Sequence, residues 1–120
     1  MPDDPSATAR PIGFSPIEEI LAELRQGRMI VLVDDEDREN EGDLVCPAEA
    51  VTPDKINFML RYGRGTLCAA LTHARCKRLH LAPQVSDNTT RFGTNFTITV
   101  DGGPHLGVTT GVSASDRAAT

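Results

Sequence analysis

The chain has 120 residues, a net charge of −5 and 39% hydrophobic residues, with four Phe and one Tyr as its only aromatics. This suits one small domain with an aliphatic core. The acidic balance excludes phosphate neutralisation as the main business of the surface, and no stretch approaches the roughly 20 apolar residues that span a bilayer. The three cysteines, Cys46, Cys68 and Cys76, form no CxxC pair, and His73, His80 and His105 do not join them at finger spacing. Reduced thiols in a reducing compartment are therefore expected, rather than a disulfide frame or structural zinc.

Residues 1–13, rich in Pro, Asp, Ala and Thr, are expected to form a disordered lead-in. They carry no basic, apolar-cored leader, so the cytoplasm is the expected location. Ser15-Pro16-Ile17-Glu18 predicts a helix start with Ser15 as cap and Glu18 closing a capping box. Ile17, Ile20, Leu21 and Leu24 then share one face, and Gly27 ends the helix. Met29–Val33 has the length and β-branching of a buried strand, and a second strand is expected at Leu44-Val45-Cys46, stopped by Pro47. Thr52-Pro53 opens another helix, with Ile56, Met59 and Leu60 as its apolar face and Gly63 as its stop. A third strand is predicted over Thr66–Leu71, a short helix over His73–Leu79, and an alternating strand over Asn95–Val100. Ser113 caps a last helix, with Asp116 at the favourable end of its dipole. That helix has barely begun at Thr120, which gives the domain a truncated look.

Between the first two strands, residues 34–43 hold seven carboxylates and the single Arg38. Carboxylates so crowded repel one another unless a cation or water screens them. A hard divalent ion held by one or two carboxylates, with positions left for substrate oxygens, accounts for such a loop economically. An EF-hand fails: counted from Asp37, Gly42 falls at the sixth place, but the twelfth is Ala48 where a bidentate Glu is needed. The second motif, Gly107–Arg117, runs glycines and hydroxyls into a helix start. It fits an anion cradle and an ordinary turn and cap equally well. Cys68, in an apolar stretch, reads by itself as packing.

Asp34–Leu44 followed by Pro47-Ala48-Glu49, then Gly63–Cys68, Asn88-Thr89-Thr90, Gly93-Thr94 and Gly107–Arg117, resemble in order 3,4-dihydroxy-2-butanone 4-phosphate synthase. The resemblance runs from residue 15 to the last residue. It implies an α+β domain, a mixed β-sheet flanked by helices, in a homodimer with active sites near the interface. The element pattern alone reaches only an α/β-type sandwich. The implied activity is a lyase reaction of riboflavin biosynthesis, in which D-ribulose 5-phosphate gives formate and L-3,4-dihydroxy-2-butanone 4-phosphate, assisted by Mg²⁺ or Mn²⁺.

Carried over residue by residue, the resemblance makes Glu39 the metal ligand of this half of the domain and a substrate contact. It makes Arg38 and Asp43 substrate contacts, and places the hydroxyls of Thr109 and Thr110 near the substrate. Asp34 becomes an acid–base carboxylate, Glu41 either an acid–base carboxylate or one that supports the metal ligands from behind, and Cys68 lines the pocket. Family members are longer, and their further part carries a His-Thr-Glu segment whose histidine is the second metal ligand. None of His73, His80 and His105 lies in such a segment. Residues 14–120 are thus expected to be the N-terminal part of a synthase domain, inactive alone. The remainder, with a fused GTP cyclohydrolase II domain in some members, is expected elsewhere. The competing expectation is a shortened, non-catalytic relative that keeps a metal loop and serves as a binding or regulatory module.

Overall fold

Four α-helices and one β-hairpin form the regular structure of residues 13–120, the residues that the computed structural model describes. Apart from Gly13, the expected lead-in lies outside the described residues. In chain order these are α1 (Ile17–Arg25), β1 (Ile30–Val33), β2 (Gly42–Val45), α2 (Pro53–Phe58), α3 (His73–Arg78) and α4 (Ala114–Ala119). A 3-10 turn spans Ala48–Ala50, a single π turn Met59–Gly63 prolongs α2, and a second 3-10 turn spans Pro104–Leu106. The class is α+β.

Side-chain caps start three of the helices, at Thr52 and Ser113 as the sequence predicts and also at Thr72. The hydroxyls of Thr52, Thr72 and Ser113 accept from the amides of Lys55, Arg75 and Asp116 at 3.3, 3.2 and 3.0 Å. The first helix differs: Pro16 occupies the cap position with extended backbone, and no side chain caps it. Ser15 stands one residue too far out to reach a first-turn amide, so the expected Ser15–Glu18 box does not form. Glu18 and Glu19 in the first turn complement the dipole instead.

The end of α1 is held by a glycine and a lysine. Gly27 is left-handed at φ +73°, and the amides of Gly27 and Arg28 return to the carbonyls of Leu24 and Glu23. Lys55, from α2, donates its ammonium to the carbonyls of Gly27 and Ala50, each at 2.6 Å. One cation therefore ties the end of α1 to the turn that precedes α2.

β1 and β2 pair antiparallel, with Ile30 opposite Val45 and Val33 opposite Gly42. This is the sheet among the described residues. The strand predicted at Thr66–Leu71 does not form: the segment carries no regular structure and pairs with no strand among the described residues. An apolar run becomes a strand only where a neighbour takes its backbone hydrogen bonds. Residues 95–100 form no full strand either. They pair locally with 82–84, through Gln84 N to Phe96 O and Ile98 N to Ala82 O, both at 2.9 Å.

The buried apolar centre is small, comprising Ile56 of α2 and Val108 before α4. Much aliphatic surface faces outward, with Val31, Leu32 and Val33 exposed at 60, 57 and 47%. No helix among the described residues is long and apolar enough to cross a membrane. Contiguous exposed apolar surface recruits apolar ligands, so the 120-residue chain is expected to enhance the fluorescence of a hydrophobic dye before any heating. Dye fluorescence at the buffer baseline would contradict this.

Gly27 offers a sharper test. A Cβ there would sit 2.8 Å from the Ala50 Cβ, on backbone that side chains rarely adopt. Gly27→Ala is expected to lower stability by about 1–3 kcal/mol, read as a reduced urea midpoint at unchanged slope.

Candidate functional site

The acidic segment joins β1 to β2 as an eight-residue loop, 34–41, closed at its base by Asp34 N donating to Glu41 O at 2.9 Å. Asp34, half-buried at the strand end, organises what lies above it. One of its oxygens accepts from the Asp35 amide at 2.7 Å. The other accepts from the Glu39 amide at 3.0 Å and from Arg38 Nη1 at 2.7 Å. Asp35 adds a second tier: its side chain accepts from the Asp37 amide at 2.8 Å, and its carbonyl from the amides of Arg38 and Asn40. Asn40 takes the left-handed conformation, φ 51°, that returns the chain to β2.

These contacts set the protonation of the loop. Partial loss of water raises the Asp34 pKa, but the hydrogen bonds from the Glu39 amide, the Arg38 guanidinium and the Asp35 amide outweigh it. The net result lies below the ordinary aspartate value, so Asp34 is an anion at neutral pH. Arg38 is shifted upward, first by its hydrogen bond to Asp34 and then by the nearby charges of Asp34 and Glu39. Its Nη1 also lies 3.3 Å from a Glu39 oxygen.

The structure thus brings Asp34, Arg38 and Glu39 together on one loop, with Glu41 at its closing end. Asp43 follows on β2, opposite Leu32. Among the described residues no group of three His, Cys, Asp or Glu side chains converges to hold a metal. Glu39, partly exposed, is a single hard oxygen donor. Cys68 is a free, exposed thiol on the irregular segment that follows Gly63.

The second motif is built around Asp116, which is buried. One of its oxygens accepts from Thr109 N at 3.2 Å, Thr109 Oγ1 at 2.9 Å and Gly111 N at 2.9 Å. The Thr109 hydroxyl is the main cause holding the Asp116 pKa low, aided by the two amides against the effect of burial. The amides of Thr109 and Gly111 are therefore occupied from within, as in a turn that leads into a helix cap. Thr109 spends its hydroxyl proton on Asp116, whereas Thr110 is exposed. Gly111 is left-handed, and a Cβ on it would collide with the Asp101 carboxylate.

Sequence reasoning placed Asp116 at a helix start without seeing that it anchors this whole turn. The signal was present: an acid three residues after a Ser cap, behind a Gly- and Thr-rich run. It also missed Phe92, whose ring meets Arg38. No local pattern announces a contact between positions so far apart.

An α+β domain with an acidic loop at the end of a strand pair, gathered on an ionised aspartate, defines the class. A family model described as 3,4-dihydroxy-2-butanone 4-phosphate synthase matches residues 18–120. The chain belongs to that family. It is 53% identical over 107 residues to riboflavin biosynthesis protein RibBA of Aquifex aeolicus, covering 89% of this chain and 26% of that protein. It is 50% identical over 107 residues to the 3,4-dihydroxy-2-butanone 4-phosphate synthase of Photobacterium phosphoreum, covering 89% of this chain and 29% of that one.

Among solved structures, a 3,4-dihydroxy-2-butanone 4-phosphate synthase in complex with two magnesium ions superposes with a TM-score of 0.82 at 41% identity, over 88% of this chain and 48% of that one. The two-domain synthase RibBX of A. baumannii superposes with a TM-score of 0.76 at 49% identity, over 87% and 30%. The chain thus spans about a quarter of the curated relatives' length and about half of the magnesium-bound synthase.

Asp116 carries a pH test. Its pKa is lower folded than unfolded, so its contribution is complete above the unfolded value and is lost as pH falls through the folded one. Stability is expected to fall below about pH 4. Asp116→Asn should be less stable at neutral pH and should lose that part of the acid dependence, as seen in melting temperature against pH. Parallel curves for the two proteins would remove Asp116 as the anchor.

Proposed function

We propose that residues 14–120 form the N-terminal part of a synthase domain that converts D-ribulose 5-phosphate to formate and L-3,4-dihydroxy-2-butanone 4-phosphate. The observation that carries this reading is the acidic loop, held in order by Asp34, in a chain that matches the synthase family over residues 18–120. The setting is riboflavin biosynthesis in the cytoplasm, in a homodimer. The greater length of the relatives leaves room for the rest of the domain and for a fused GTP cyclohydrolase II domain.

In this reading Arg38 grips the substrate. Its charge is secured by Asp34, and a guanidinium offers several in-plane donors, so the Asp34 contact leaves others for anionic or hydroxyl oxygens. Asp43, on the strand just beyond the loop, accepts hydrogen bonds from sugar hydroxyls. Thr110 contributes an exposed hydroxyl, Thr109 an oxygen that can still accept, and Cys68 lines the pocket. Glu41 exchanges protons between neighbouring carbons of the sugar. Asp34 takes part as an ionised carboxylate, the form in which the loop holds it.

The donor chemistry suits Mg²⁺ or Mn²⁺, since such ions are bound by one or two carboxylates together with substrate oxygens and water. Glu39 would hold the ion from this chain. When bound, the metal supplies Lewis-acid stabilisation of the negative charge that develops on the sugar oxygens.

The test uses this chain within a synthase domain of the relatives' length, supplied with D-ribulose 5-phosphate and Mg²⁺. The parent is expected to release formate. Glu39→Gln keeps the shape and removes the charge, so formate release should fall at least 100-fold at an unchanged melting temperature. Near-normal turnover at limiting Mg²⁺ would sink the metal assignment. Arg38→Ala and Asp43→Ala should reduce kcat/KM far more than stability, because exposed ion pairs contribute little to folding. Activity that falls only in proportion to folded protein would make both residues structural.

A further inference from the structure

We propose that Phe92 is a positioning residue that orients the Arg38 guanidinium for the substrate; this rests on the synthase reading above. The Arg38 Cζ lies 5.5 Å from the centroid of the Phe92 ring. A cation within about 6 Å of an aromatic face is attracted to the ring's negative face. Arg91 approaches the same ring, at 5.1 Å.

The ring does for Arg38 what its acidic neighbours cannot. Asp34 and Glu39 meet the guanidinium through N–H donors, at 2.7 Å to Asp34 and 3.3–3.5 Å to Glu39. Each such contact uses a donor and offsets charge. An aromatic face restrains the guanidinium plane while consuming no donor and cancelling no charge. A further carboxylate in its place would weaken the attraction for an anionic sugar phosphate. Phe92 leaves the guanidinium charged and donor-rich.

Phe92 lies outside the buried centre, which consists of Ile56 and Val108, and is 39% exposed. The ring is therefore only partly covered, and one face remains available to Arg38. It is also presented by a turn with its own order. Asn88 donates to Thr94 O at 2.9 Å and to Asn95 Oδ1 at 3.3 Å, and its oxygen accepts from both the amide and the hydroxyl of Thr90. Gly93 N closes on Thr90 O at 3.2 Å. Both arms of the turn are then clamped where 82–84 pair with 96–98. Such a platform holds a ring in place better than a free loop does. The Asn88-Thr89-Thr90 and Gly93-Thr94 motifs, which have no role among the proposed substrate contacts, acquire one as the mount of Phe92.

The experiment compares parent, Phe92→Leu and Phe92→Tyr within a synthase domain of the relatives' length. Leu keeps apolar bulk but has no π-face, whereas Tyr retains the face. Phe92→Leu is expected to raise KM for D-ribulose 5-phosphate by about two- to fivefold with kcat within twofold of the parent, as uniform binding is lost. Phe92→Tyr should restore KM. NMR of the Arg38 side chain gives a second readout: ring-current shifts of its Hδ protons should be present in parent and Tyr and absent in Leu. An unchanged KM in Leu, equal loss in Leu and Tyr, or Arg38 shifts that do not respond to Leu would overturn the proposal. A parent that releases no formate would count against the synthase reading, and the NMR comparison then decides the Phe92 contact by itself.

Discussion

The Asp34 carboxylate turns a run of mutually repelling acids into a defined loop. Seven carboxylates in ten residues would spread apart in water if nothing gathered them. Asp34 gathers them by accepting from two backbone amides and one guanidinium, which places Arg38 and Glu39 side by side at the end of the β-hairpin. The same contacts hold Asp34 ionised, so the anchor keeps its acceptors throughout the neutral range. Much of the proposed chemistry depends on this arrangement, because a guanidinium and a metal-binding carboxylate are useful only at a set separation.

The chain repeats the device at its other motif. Asp116 gathers Thr109 and Gly111 much as Asp34 gathers Asp35 and Glu39, and its pKa is likewise lowered. In both cases a short carboxylate satisfies backbone amides that a glycine- or acid-rich turn would otherwise leave without partners. The difference lies in burial. Asp116 is enclosed beside the α2–α4 contact, while Asp34 sits at the mouth of a hairpin. Asp116 therefore serves the fold, and Asp34 serves a surface that can meet a ligand.

The small buried centre and the outward-facing aliphatic residues of β1 belong together. Ile56 and Val108 are buried because helices and turns close over them, whereas Val31, Leu32 and Val33 have neighbours only along the hairpin. A strand of continuous apolar residues is built to be covered on both faces. The solved relatives are about twice as long or more over the aligned structures, and their additional length is compatible with such cover.

The sequence by itself determined the helix starts at Thr52, His73 and Ser113, the stop at Gly27, the hairpin strands to within two residues, and the acidic loop with its family. These are local matters: a cap, a left-handed glycine or an apolar run acts within a few residues of itself. It overstated Ser15 as a cap, because a proline already held the position next to the helix. Thr66–Leu71 is an apolar stretch of strand length, but strandness depends on a partner that the stretch itself does not name. Only the tertiary structure decided that Asp116 takes the amides of Thr109 and Gly111, that Lys55 closes α1, and that Phe92 meets Arg38. The Lys55 and Phe92 contacts join residues many positions apart. Which side chains meet across such distances is set by how the intervening elements pack, and no residue carries that information alone.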